Sequence, residues 1–188
     1  MKRLIAFFLL LAVLAMAGCS PRVTPVQTSS KFLDAMVNSD FGTAGKYTGG
    51  VNPQYELDRI LVSAQTLYGS AQSAIEHSVL GHVTYEVASG EIKGEKAVVN
   101  VKITAPDCKS VFRNTWQSNL LMQSVDPSAN TITYFQQSFG RAVSASDAPM
   151  VTSNVAITLD KKNGSWVIAL RGDDKLLNAL TGNMANPF

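Results

Sequence analysis

Behind the basic start Met1-Lys2-Arg3, the chain runs apolar without a break from Leu4 to Ala15, and Ala17 and Gly18 then lead to Cys19. Beyond that segment, apolar positions recur with two periods. Ser29 or Ser30 can cap a first helix, in which Phe32, Ala35 and Met36 fall at helical spacing. Asn38-Ser39-Asp40 interrupts it. Asp40 starts a second short helix with Phe41, Ala44 and Tyr47, and Gly49-Gly50 ends that one. Leu57, Ile60, Leu61, Ala64, Leu67 and Tyr68 predict a third and longer helix. Each has one apolar stripe and needs a surface to bury it.

The period then falls to two. Ile75, His77, Val79, Val83, Tyr85 and Val87 share one face of a predicted long strand, with Glu76, Ser78, His82, Thr84 and Glu86 on the other. Lys93-Gly94-Glu95 turns the chain. Ala97, Val99, Val101, Ile103 and Ala105 then alternate with Val98, Asn100, Lys102 and Thr104, completing a hairpin with one wet face. From Asp107 the period is helical again. Val111, Phe112, Thr115, Trp116 and Met122 mark one helix capped by Asp107, Asp126-Pro127-Ser128 breaks it, and Ile132, Phe135, Phe139, Ala142 and Val143 mark another. Strand alternation returns at Val151, Ser153, Val155, Ile157 and Leu159. Asn163-Gly164 makes a tight turn into Trp166, Ile168 and Leu170, and Asp173 or Asp174 caps a last helix carrying Leu176, Leu177 and Leu180. Helices first, then two hairpins separated by a helical insertion at 107–146, predict an α+β domain over residues 29–183.

Composition changes the picture chiefly at the N-terminus. Apolar residues make up 46% of the 188 and charged residues 16%. A basic start, a greasy run of about twelve residues and a small-residue end have the order of an export signal, and the run is short for the ~20 residues that span a bilayer. Loss of Lys2 and Arg3 with such a signal leaves fourteen basic and fourteen acidic residues. That balance offers no basic stripe for phosphates, so no nucleic-acid partner is expected.

Leu14-Ala15-Met16-Ala17-Gly18-Cys19 resembles the bacterial lipobox, with Met16 where that pattern usually has Leu. The resemblance implies a cleaved signal peptide at 1–18 and a Cys19 whose thiol carries diacylglyceryl, with palmitate as an expected acyl chain. Two or three chains hold a protein firmly where one does not. Ser20 is unlike the aspartate that retains some lipoproteins at the inner membrane. The implied address is extracytoplasmic and lipid-anchored, on the cell membrane or the outer membrane of the cell envelope. Residues 19–28, with Pro21 and Pro25, read as the lipidated cysteine and a flexible tether; the nine residues 20–28 at ~3.1 Å each reach about 28 Å. With Cys19 acylated, Cys108 has no partner within the chain. The plain reading is a small residue under a helix start, and the alternative is a reactive or intermolecular thiol.

Phe32-Leu33-Asp34-Ala35-Met36 with Asp40-Phe41, Gly94-Glu95-Lys96-Ala97-Val98-Val99, and Val155 to Ile168 with Asn163-Gly164-Ser165-Trp166 resemble small bacterial lipoproteins with a nuclear-transport-factor-2-like domain. The resemblance spans most of residues 29–181. It implies N-terminal helices on a curved antiparallel four-stranded sheet that closes a cone.

Candidate chemistry is sparse. His77 and His82 are the only histidines and point to opposite faces of the predicted strand, so no metal is expected between them. His77 shares the inward face with Tyr85, where either a pocket or a satisfied rim position would suit it. Enzymes of the resembled superfamily use an Asp base with a Tyr or acid donor inside the cone. The inward positions of the predicted strands carry no Asp or Glu, and Asp34 or Asp58 could supply a base only from a helix. No phosphate loop, nucleophile elbow or Cys–His pair is present, so neither enzyme activity nor a cofactor is expected. Trp116 and the run Tyr134-Phe135-Gln136-Gln137-Ser138-Phe139 either seal the cone or present aromatics to a partner. The residues for a pocket are His77, Tyr85, Trp116, Phe135 and Phe139. The expected function is non-catalytic binding of an envelope or extracellular partner protein. The alternative is a small apolar ligand held in the cone, and an isomerase- or hydrolase-like enzyme is a third reading.

Overall fold

The computed structural model describes residues 23–61, 77–126 and 130–185. Among them the chain forms α1 (Pro25–Val37), α2 (Phe41–Gly45), α3 (Pro53–Ile60), β1 (Thr84–Lys93), β2 (Lys96–Pro106), α4 (Cys108–Val125), α5 (Thr131–Ser144), β3 (Met150–Lys162), β4 (Ser165–Ile168) and α6 (Asp174–Leu180). The fold is α+β, as the sequence predicts: a curved antiparallel sheet in the order β1-β2-β3-β4, with helices packed against it.

One face of the sheet is buried. Ala97, Val99, Val101, Ile103 and Ala105 of β2 alternate with exposed neighbours, and Ile157 and Leu159 of β3 with Ile168 of β4 continue the layer. Helices α1 and α6 cover it through Phe32, Leu33, Met36, Leu176, Leu177 and Leu180, all fully buried. The chain stays polar on the opposite face because that side of the pleat meets water. The carbonyl of Tyr47, just past α2, accepts from the Ile168 backbone at 2.8 Å and holds β4. Arg59 of α3 joins Glu56, 3.0 Å away and nearly buried, to Asp174 at the start of α6.

Two expectations are corrected. The first helix does not start at Ser29 or Ser30. The Thr24 side chain accepts from the Gln27 backbone at 3.2 Å, and the Gln27 side chain accepts from the Thr24 backbone at 3.0 Å. This reciprocal cap, with Pro25 in the first helical position, starts α1 at Pro25. Pro25 and Thr28 are buried, so residues 25–28 belong to the domain and not to the tether. Second, residues 77–80 form a helical turn, and β1 begins at Thr84. Gly81, His82 and Val83 donate backbone hydrogen bonds to His77, Val79 and Leu80. Val79 and Leu80 are adjacent and both buried, which no strand with one buried face allows. His77 therefore lies on a helical turn and not on the inward face of a strand; Ile75 falls outside the described residues. Further along β1, a bulge between Val87 and Ser89 shifts the register, so Gly90 and Ile92 face inward beyond it, opposite Val99 and Ala97. The predicted third helix is seen as α3, and its Ala64, Leu67 and Tyr68 lie outside the described residues.

The insertion follows the sequence closely. Asp107 accepts from the Ser110 backbone at 3.1 Å and caps α4, and Asn130 accepts from the Thr133 backbone and caps α5. The base of this helical hairpin is pinned. Pro106 pairs with Met150, and the Asp107 backbone donates to the Pro149 carbonyl at 2.7 Å.

Candidate functional site

The hairpin α4–α5 is held together by four rings. Phe112 stands edge-on to Phe135 at 5.3 Å between centroids and stacks on Trp116 at 6.3 Å. Trp116 meets Phe135 edge-on at 5.9 Å, and Phe135 stacks on Phe139 at 6.0 Å. Such offset and edge arrangements suit the ring quadrupoles. Phe112, Phe135 and Phe139 are buried, and Trp116 is half-buried. Three of the five residues singled out in the sequence, Trp116, Phe135 and Phe139, thus meet in one cluster and bond the two helices.

The other two lie elsewhere. Tyr85, on β1, donates a 2.5 Å hydrogen bond to Asp34 of α1 and reaches the Ser30 carbonyl at 3.1 Å. Partial burial, then the hydrogen bond and charge of Asp34, push its phenol well above its ordinary value. It stays protonated and pins α1 to the sheet. His77 is exposed on the turn before β1. His82 is exposed as well, with its Nδ1 2.7 Å from the Ser78 carbonyl. The inward positions of the four strands, Tyr85, Val87, Gly90, Ile92 and those of β2 to β4, carry no Asp or Glu. No cluster of three His, Cys, Asp or Glu among the described residues could hold a metal ion.

Cys108 is buried at the start of α4. Burial, with Asp107 beside it, pushes its thiol well above the ordinary value. Native protein is expected to resist iodoacetamide at mildly alkaline pH, and guanidinium-unfolded protein to be labelled fully. Mass spectrometry after quenching reads both. Rapid labelling of the folded chain would make Cys108 a reactive thiol.

The sequence reading put Met122 and Ile132 on the apolar stripes of the hairpin and passed over Leu120, Leu121 and Val125, but all five are exposed. Leu120 is 50% exposed, Leu121 69%, Val125 84% and Ile132 59%, with Met122 and Tyr134 partly exposed beside them. A signal was present: Leu120-Leu121-Met122 is a consecutive apolar run on a helix. At 100° per residue, three neighbours sweep too wide an arc for the stripe already filled by Phe112, Thr115 and Trp116. Scattered exposed apolar residues are ordinary, whereas this group falls on the adjoining ends of α4 and α5.

Comparison with known proteins gives a fold relation. No family profile matches the chain, and no curated protein does. A crystal structure of ycdA, a candidate lipoprotein from Bacillus subtilis subsp. subtilis strain 168, superposes with a TM-score of 0.58 at 18% sequence identity. The match covers 82% of this chain and 56% of the other, so this chain spans little more than half of that protein. At this identity the likeness speaks for the fold. No helix among the described residues is long and apolar enough to cross a membrane.

Proposed function

We propose that the protein is a lipid-anchored extracytoplasmic lipoprotein whose domain binds an envelope or extracellular partner protein without catalysis. The observation that carries the binding reading is the exposed apolar end of the α4–α5 hairpin: Leu120, Leu121, Val125 and Ile132. Burying a leucine- or valine-sized side chain is worth about 1.5–3 kcal/mol, so a few of them supply a large part of a protein interface before its ordering costs. The anchor is read from the lipobox at Cys19, and a candidate lipoprotein with a similar fold supports it. A nuclear-transport-factor-2-like cone is the family reading that goes with this proposal, on the evidence of helices covering one face of a curved four-stranded sheet.

Two arms test it. Cys19→Ala is expected to release the domain from membranes or leave an unprocessed precursor, read by fractionation and by the mass of the native N-terminus. An unmodified residue 19, or a start elsewhere, ends the anchor reading. For binding, crosslinking in intact envelopes followed by purification compares wild type with Leu121→Asp/Val125→Asp. Both sites are exposed, so the fold should survive. A specific crosslinked protein should be lost about tenfold or more, the equivalent of some 1.4 kcal/mol. Equal recovery by both proteins removes the hairpin end as the binding surface.

A further inference from the structure

The end of the sheet at which the chain enters carries a second surface. Helix α1 lies along β1 in the opposite direction: Tyr85 reaches Ser30 and Asp34, whereas Val26 lies over Gly90. The start of α1 therefore points toward the β1–β2 turn. A Cβ added to Gly90 would come within 3.0 Å of the Val26 side chain, so glycine at this inward position lets the helix start approach the strand. Ile92 is the next inward position toward the turn. It is 60% exposed, Val23 is 42% exposed and Val26 36%.

Both β-turns lie at this same end. Lys96 pairs with Asp160, and the Lys161 backbone donates to the Glu95 carbonyl at 2.8 Å. The two turns bring Lys93, Lys96, Lys161 and Lys162 together with Glu91, Glu95 and Asp160. Lys93 is bridged to Glu91 at 3.4 Å, and Lys161 lies 5.9 Å over the Trp166 ring. Charge at this end is thus mixed with a small cationic excess, and the apolar trio is its distinctive part.

Chain length decides what can cover it. Cys19 stands four residues ahead of Val23, a separation of at most about 14 Å even when extended. An acyl-cysteine in the bilayer leaves Val23 no further than that from the lipid, and the start of α1 at Pro25 two residues beyond it. The geometry points to the turn end of the sheet as the membrane-facing surface of the domain. Val23, Val26 and Ile92 enter the headgroup region, and the four lysines lie at headgroup level. The inference rests on the anchor at Cys19 proposed above. Its occupant is the bilayer that holds that anchor. Side chains of this size seat in the outer part of a bilayer, and lysine stems snorkel there with their ammonium groups in water. The hairpin base at Pro106 and Met150 is at the other end of the sheet.

The test separates orientation from cellular acylation. The mature chain from Cys19 is coupled through that thiol to a maleimide lipid in phosphatidylcholine vesicles containing phosphatidylglycerol; buried Cys108 does not compete. Lysines are then acetylated briefly and quantified by mass spectrometry, with the uncoupled chain as reference. Labelling of Lys93, Lys96, Lys161 and Lys162 should fall about threefold or more, while Lys109, at the base of the hairpin, keeps its rate. Val23→Asp/Ile92→Asp should restore labelling of the four lysines with coupling intact. Uniform labelling of all five lysines, or protection that survives the double substitution, overturns the orientation. Because coupling is synthetic, that result leaves the anchor reading standing, and the mass of the native N-terminus decides the anchor on its own.

Discussion

Gly182→Ala is expected to destabilise the domain by about 3–5 kcal/mol, lowering its melting temperature by about 10 °C or more. Gly182 follows α6 with φ at +59°, a conformation that costs an L-residue about 1–2 kcal/mol by itself. The larger cost is steric. A Cβ here would lie 1.8 Å from the Pro106 carbonyl oxygen, 3.0 Å from the Cys108 nitrogen and 3.1 Å from its sulfur. Two of those atoms are backbone, so no rotamer change relieves the clash. The end of α6 would have to move off the junction of β2 with α4, and the Lys109 backbone, which donates to the Gly182 carbonyl at 3.3 Å, would lose its partner. Gly164→Ala is the control. Its φ is +80° and its added Cβ meets nothing within 4 Å, so only the conformational term of about 1–2 kcal/mol applies. Thermal and urea unfolding of the two variants measure the difference. Equal losses would show that the α6 end and the β2–α4 junction do not press on each other.

Phe135→Ala should cost a comparable 3–5 kcal/mol, the range for emptying a buried phenylalanine site. Phe135 contacts Phe112, Trp116 and Phe139, so its removal takes out the centre of the cluster and not its rim. The consequence should also be local. Described contacts of α4 and α5 are chiefly with each other, and loss of the ring between them should loosen the hairpin before the sheet. In a Trp166→Phe background, Trp116 emission should shift to the red, and amide exchange in 108–144 should rise more than in β2 and β3. A global loss with unchanged Trp116 emission would mean that the hairpin and the sheet unfold as one unit. If the hairpin end binds a partner as proposed, this variant should weaken binding without touching an exposed residue.

Much of the fold was legible because the signals were local. Asp107, Asn163-Gly164 and Asp173 mark ends and turns through hydrogen bonds or φ values settled within a few residues, and all three act where the sequence places them. The alternation of β2 survived because the strand has neighbours on both sides and one buried face. Errors arose where a local pattern admitted two readings. Thr24-Pro25-Val26-Gln27 contains two signals, a proline that reads as tether and a capping box that reads as a helix start, and the packing of Pro25 and Thr28 favours the second. Around His77 an apparent period of two was accidental. Burial of the adjacent pair Val79 and Leu80 requires a helical turn, and only the assembled core reveals that both are inside.

The candidate site divides in the same way. The aromatic positions of the insertion are written in its periodicity, but periodicity cannot tell a ring that lines a cavity from one that bonds two helices. That is decided by what stands opposite, and opposite Phe135 stand Phe112 and Trp116. By itself the sequence determined the α+β order of elements, most of their caps and turns, and the Cys19 motif, because these depend on chemistry between near neighbours. The tertiary structure alone decided that Tyr85 is spent on Asp34, that Gly182 lies against Pro106, and that Leu121 and Val125 stay exposed while Phe135 is covered. Those outcomes depend on contacts between residues far apart in the chain, and no spacing along it encodes which surfaces will meet.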